Sequence, residues 1–203
     1  MEVIVITSSS EKEKEIPQIV RLFDNGLNTL HLRKPKWNKK EIRSFIESIP
    51  KEHHNKIVVH GHYDLAIKYT LKGIHLHRRH RNSKLKNRWN RLLMKLKHPK
   101  LIITSTFNSI ESLRENTLSL DYVFLYSVFT SHSYYNKDEE SGVNLLRSIL
   151  SKANIPVYAL GGVTKDRIEV VRAAGFKGVG LSSAVWKHID KNPEEVLSII
   201  QAA

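Results

Sequence analysis

Residues 155–164 read Ile155-Pro156-Val157-Tyr158-Ala159-Leu160-Gly161-Gly162-Val163-Thr164, and residues 178–183 read Gly178-Val179-Gly180-Leu181-Ser182-Ser183. The first stretch is a short apolar run that stops at twin glycines, the pattern of a buried strand followed by a tight turn. Thr164 is placed to cap a helix running through Ala174, and Gly175 to stop it. The second stretch opens the next strand. A strand, a helix and a strand in this order make a parallel pair joined by a right-handed crossover.

The same unit repeats outward in both directions. Strand-like runs fall at residues 2–7, 29–33, 56–60, 73–77, 101–105, 122–125, 156–160 and 178–181, eight in all. Helices are expected at 11–24, 39–49, 63–70, 83–97, 110–115, 140–153, 164–174 and from Pro193 onward. Ile16, Ile19, Val20, Leu22 and Phe23 share one face of the first, and Asn38 stands at the cap position of the second. Leu85, Trp89, Leu92, Leu93 and Leu96 form a stripe expected to pack on the barrel. Tyr122, Phe124 and Tyr126 alternate as packing residues of a strand do. Eight units with no Pro/Gly/Ser linker predict an α/β fold, a (β/α)8 TIM barrel, with residues 1–203 as a single domain. No GxGxxG follows the first strand, which removes the dinucleotide fingerprint.

The formal net charge is +13, and residues 77–100 hold ten Lys/Arg and no Asp or Glu. Such a block could meet nucleic acid, surround a phosphate site, or simply form a solvated basic face. Nucleic acid is the weaker partner, because beyond Trp89 no aromatics are interleaved for base stacking. The absence of cysteine excludes disulfides and thiolate catalysis. No apolar run approaches the ~20 residues a membrane span needs. The first residues read as a strand rather than a signal peptide, so a cytoplasmic protein is expected.

In this fold chemistry gathers at the C-terminal ends of the strands. There the sequence places His31 and Arg33 with Lys34 and Lys36, then His60, His75 and His77, then Ser105, and finally Gly161-Gly162 and Ser182-Ser183. Glycine amides beside a helix N-terminus can cradle a phosphate, with Gly178 and Gly180 joining Ser182 and Ser183 as the other half. A tight turn alone would use the same glycine pair. Arg33 suits phosphate oxygens, and His60 or His31 suits acid–base work near neutrality. His60, His75 and His77 could converge, but no carboxylate or cysteine joins them, so no metal site is assigned.

These motifs resemble those of the thiamin-phosphate synthase/TenI family. His31-Leu32-Arg33-Lys34-Pro35, Gly73-Ile74-His75-Leu76, Asp121-Tyr122-Val123, Ser127-Val128-Phe129-Thr130-Ser131, Ala159-Leu160-Gly161-Gly162-Val163 and Ser183-Ala184-Val185 carry the likeness in order. The resemblance implies a barrel transferase joining hydroxymethylpyrimidine diphosphate to a thiazole phosphate, with Mg²⁺ and release of pyrophosphate. Small phosphorylated thiamin precursors would be its partners, and a homodimer is compatible with it. By that likeness Arg33 would serve the diphosphate, Ser105 the pyrimidine, and Ser131, Ser133, Gly162 and Ser183 the thiazole phosphate. The family's Asn-Asp after strand three is His60-Gly61 here, and its second magnesium Asp falls near His80. Imidazoles do not replace hard oxygen ligands for Mg²⁺, so no cofactor is assigned with certainty. The TenI branch, a thiazole phosphate tautomerase, uses a histidine after strand five, where Phe107 stands. A synthase with an altered diphosphate site, a tautomerase with His31 or His60, and a non-enzymatic phosphometabolite- or nucleic-acid-binding protein therefore stand as the three functional readings.

Overall fold

The computed structural model of the chain describes residues 1–10, 12–78, 86–129 and 139–201, with the side chains of 86–91, 110 and 139–141 left aside. Eight parallel strands close on themselves in sequence order: β1 (Glu2–Ile6), β2 (Leu30–Leu32), β3 (Ile57–Val59), β4 (Gly73–Leu76), β5 (Ile102–Phe107), β6 (Tyr122–Tyr126), β7 (Val157–Leu160) and β8 (Gly178–Leu181). The TIM barrel read from the sequence is the observed fold. Closure is direct, because Glu2 to Val5 of β1 pair with Gly178 to Leu181 of β8.

Strand alternation sorts the side chains into two cores. Outward residues such as Leu30, Leu32, Ile57, Val59 and Ile74 meet the helices in one large apolar layer. Inward residues Ile4, Ile6, Tyr122, Phe124 and Tyr158 form a separate cluster inside the barrel. Three glycines make that interior possible. A Cβ on Gly73 would lie 2.3 Å from Cγ1 and O of Ile102, one on Gly178 2.6 Å from Tyr158, and one on Gly180 2.8 Å from Phe124. Gly178 and Gly180 are thus spacers for aromatic rings, and the sequence expectation that they join a phosphate cradle is corrected.

The helices follow their signals with local differences. Asn38 caps Lys39–Glu47 in a reciprocal capping box with Glu41. The first helix is Glu15–Asp24, with Ile19, Leu22 and Phe23 buried. Thr164 stands before a short 3-10 turn, Lys165–Arg167, without a side-chain cap bond, and the helix proper is Ile168–Ala173. Gly175, at φ +91°, ends that segment in the left-handed conformation its sequence position required.

In the helix Lys86–Lys97 the apolar stripe does not pack inward. Leu92, Leu93 and Leu96 are 53%, 49% and 69% exposed, while Met94 packs against the core, so the stripe faces away from the barrel. Leu85 lies outside the described residues, and the side chain of Trp89 is among those left aside. Among the described residues no helix is long and apolar enough to cross a membrane.

Lys34, which the sequence places at the strand-end rim beside Arg33, is a buried staple. Its Nζ donates to Ser10 O at 2.9 Å and to the Glu15 carboxylate, and lies 4.9 Å from the Trp37 ring centroid. Glu15 also accepts from the Ser8 amide at 3.0 Å, which ties the loop after β1 to the loop after β2. Burial pushes the Glu15 carboxyl up, against the opposing pull of Lys34.

The interior packing gives a direct expectation. Gly73→Ala should destabilise the protein by about 3 kcal/mol, since the added methyl meets backbone as well as side chain. Urea unfolding measures this, and a loss below about 0.5 kcal/mol would show that the barrel wall relaxes freely.

Candidate functional site

The middle of the barrel is polar where such barrels usually stack branched aliphatics. His31 of β2, His75 of β4 and Phe124 of β6 form one layer, with ring centroids 5.4 Å (His31–His75), 5.1 Å (His31–Phe124) and 5.9 Å (His75–Phe124) apart. Gly180 of β8 leaves the fourth place to the Phe124 ring. Each histidine is there because alternation turns it inward between outward neighbours, Leu30 and Leu32 around His31, Ile74 and Leu76 around His75.

Hydrogen bonds connect this layer to its neighbours. His31 Nε2 is 2.5 Å from the Tyr122 hydroxyl, and His31 Nδ1 is 2.8 Å from His60 Nε2. His75 Nδ1 meets Thr104 Oγ1 at 2.7 Å, and its Nε2 meets Thr106 Oγ1 at 3.0 Å. His60 stacks on His75 at 4.1 Å with 13° between the planes. Below, the Tyr158 hydroxyl donates to the Glu2 carboxylate.

Above this layer opens a cavity of about 670 Å³, whose walls include Arg33, His60, His75, His77, Arg78 and Ser182. Thr106, Asn108, Ser109, Ser112 and Tyr126 add to its polar wall, and Ile6, Phe124 and Leu160 form its apolar one. No carboxylate is among its described lining residues. Arg33 is held at the mouth by its backbone: its amide donates to Thr7 Oγ1 at 2.9 Å, and Thr7 Oγ1 donates to its carbonyl at 3.1 Å. Its guanidinium is exposed and in no ion pair among the described residues.

The structure redistributes the residues picked from sequence. Arg33, His60 and Ser182 line the cavity. His31 is fully buried beneath His60, so it reaches a ligand only through that ring. Ser105 is also fully buried and donates to Leu76 O at 3.0 Å. The cause is strand alternation: Ser105 shares a face with Ile103 and Phe107, which pack in the outer apolar layer, so Thr104 and Thr106 turn inward. Ser131 and Ser133 lie outside the described residues. Gly161 and Gly162 have φ +94° and +72°, and a Cβ on Gly162 would lie 2.1 Å from Phe129 O. The pair therefore serves a tight turn packed against the loop after β6. Arg167 Nη1 donates to Gly162 O at 2.9 Å on the same turn. Ser183 is exposed and begins the short helix Ser183–Trp186. Thr106 and Tyr122 were missed; alternation along β5, with Ile103 and Phe107 on the outer face, would have found the first, and only the contact with His31 reveals the second.

The histidines that converge are His31, His60 and His75, with one ring nitrogen of each within 4.8 Å of the others, whereas His77 sits past the end of β4 and is exposed. A metal must lie near the plane of each imidazole it binds. The near-parallel stack of His60 on His75 prevents both lone pairs from meeting at one point unless a ring turns. Mg²⁺ fits still less, because it requires oxygen ligands and the described cavity wall offers no carboxylate.

Residues 3–185 match the family described as thiamine monophosphate synthase. The chain belongs to that family. A putative thiamine-phosphate synthase 2 of Aquifex aeolicus is 23% identical over 171 residues, covering 82% of this chain and 87% of that protein. A thiamine-phosphate synthase of Vibrio campbellii is 22% identical over 189 residues, covering 89% and 88%. The crystal structure of a thiamine phosphate pyrophosphorylase from Bacteroides thetaiotaomicron superposes with a TM-score of 0.74 at 26% identity, covering 99% of this chain and 94% of that one. The thiamine phosphate synthase fold thus reaches nearly end to end, while the family's barrel interior here carries an imidazole layer.

Burial lowers the pKa of both His31 and His60 well below the usual imidazole range, helped by His75 for each, by Lys72 for His31, and by Arg33 and His77 for His60. Both are neutral at pH 7. Above the unfolded value of about 6.5 neither state binds these protons, so stability is complete; below it only the unfolded chain takes them up, and stability falls. Acidification from pH 6.5 to 5 should therefore cost up to about 1.4 kcal/mol per pH unit for each histidine. His60→Gln should remove about one proton from that slope, read by urea unfolding at several pH values. An unchanged slope would mean that His60 is charged in the native protein.

Proposed function

We propose that this protein is a thiamin-phosphate-synthase-type transferase in which protein cations take the place of magnesium. The observation carrying this reading is the cavity wall: Arg33 and Arg78 face it, and no described carboxylate opposes them. A cation-lined, acid-free cavity attracts a diphosphate and repels nothing that the diphosphate needs.

In the reaction the bond between the pyrimidine methylene and the diphosphate oxygen breaks, and its electron pair leaves with pyrophosphate. The thiazole ring nitrogen supplies the pair that forms the new C–N bond. The protein's share is to align the two partners and to stabilise charge on the departing group. Arg33 and Arg78 hold the diphosphate. Ile6, Phe124 and Leu160 offer the apolar walls against which the rings lie. The amides at Gly161-Gly162 with Ser182 and Ser183 receive the thiazole phosphate, with Ser131 and Ser133 assigned to it by the family likeness.

A second reading, proton transfer on a single thiazole phosphate, is favoured by His60 at the cavity wall with His31 behind it. Turnover without pyrophosphate release is its mark.

The test is to incubate the protein with pyrimidine diphosphate and thiazole phosphate, with Mg²⁺ or with EDTA, and to measure pyrophosphate. Product in EDTA is expected, and Arg33→Ala should lower kcat/KM about 10–100-fold, the value of one charge-assisted contact. No product under either condition from folded protein would remove the transferase reading.

A further inference from the structure

The hydrogen-bond chain beneath the cavity has a direction that can be worked out from its buried end. The Tyr122 side chain is buried, and its hydroxyl has one hydrogen-bond partner among the described residues, His31 Nε2. If the hydroxyl only accepted from that nitrogen, its own hydrogen would be left unpaired inside the barrel, which native structures avoid. Tyr122 therefore donates, and burial, which raises its pKa well above the usual phenol value, keeps that proton in place.

His31 Nε2 is then an acceptor. A neutral imidazole carries one N–H, so the hydrogen of His31 is on Nδ1, and it points at His60 Nε2 at 2.8 Å. The same logic moves one ring further. His60 Nε2 accepts, so the hydrogen of His60 is on Nδ1. That Nδ1 has no hydrogen-bond partner among the described residues, and His60 lines the cavity. A flip of the ring would replace Nε2 by carbon and break the bond to His31, while the stack on His75 holds the plane.

We propose that Tyr122, acting through His31, fixes the tautomer of His60 so that His60 presents a neutral Nδ1–H to a phosphate or diphosphate oxygen of the ligand. His60 is on this view an uncharged donor beside the charged Arg33 and Arg78. It is not a base, since its one free lone pair is already engaged by His31. Tyr122 and His31 are positioning residues, neither of which touches the ligand. The ligand class rests on the anionic cavity proposed above; the tautomer assignment does not.

The experiment uses the full chain labelled with ¹⁵N at histidine. Long-range ¹H–¹⁵N spectra distinguish protonated from bare ring nitrogens, and titration with inorganic pyrophosphate by calorimetry reads the anion contact. In the native protein His60 and His31 should both be protonated at Nδ1 and bare at Nε2. Tyr122→Phe, which removes one oxygen, should shift both rings toward the Nε2–H form and weaken pyrophosphate about tenfold. In His60→Asn the side-chain amide nitrogen can stand where Nδ1 stood. That variant should keep most of the affinity and lose its sensitivity to Tyr122→Phe, whereas His60→Leu should lose the affinity in either background.

A native spectrum with Nε2–H on His60, or one unmoved by Tyr122→Phe, overturns the tautomer relay. Pyrophosphate binding equal in the native protein and His60→Leu overturns the anion contact. A negative synthase assay alongside the expected spectra and affinities would remove the transferase reading alone.

Discussion

His31 occupies the centre of the barrel, closed off from bulk solvent, and its two hydrogen bonds are what allow it to be there. A buried imidazole with either nitrogen unpaired would be destabilising by a few kcal/mol, more than most single contacts contribute. Both nitrogens are paired, one downward to Tyr122 and one upward to His60. That requirement fixes the relative positions of β2, β3 and β6. It also forces neutrality on the ring, because burial penalises its charge and no ion-pair partner meets it among the described residues. The polar chain across the interior thus follows from one group that must be satisfied on both sides.

Room for that chain comes from residues without side chains. Gly73, Gly178 and Gly180 stand where a methyl would collide with Ile102, Tyr158 and Phe124. Their absence of bulk lets large rings cross the barrel and pack beside the histidines. The same economy operates at the mouth, where Gly161 and Gly162 pack against the turn at Ser127 to Phe129. The two glycine groups solve different problems. Those inside the barrel make space for rings, while the pair at positive φ lets the chain turn sharply enough to close the rim.

Charge is divided by depth. The interior holds the neutral rings of His31 and His60 with the Tyr122 phenol, while Arg33 and Arg78 stand exposed at the rim. The guanidiniums thus stand outermost and the neutral rings below them. Lys34 shows the alternative fate of a cation in this region: a partner in Glu15 and the rings of Trp37 and Phe45 draw it into the structure, where it staples two loops and has no part in the cavity.

The amino-acid sequence by itself determined the barrel, because eight apolar runs with helices between them leave few other ways to bury both faces of a parallel sheet. It also placed Arg33, His60 and Ser182 at the cavity rim, since each sits at the end of a strand. It could not separate Ser105 from Thr106, because neighbouring strand residues face opposite sides and only the packing of Ile103 and Phe107 in the outer layer shows which side of β5 is inward. Nor could it show Tyr122 as more than packing, or His31 as a bridge. Those roles arise from contacts between β2, β3 and β6, residues 29 and 91 positions apart in the chain, which only closure of the barrel brings within hydrogen-bonding distance.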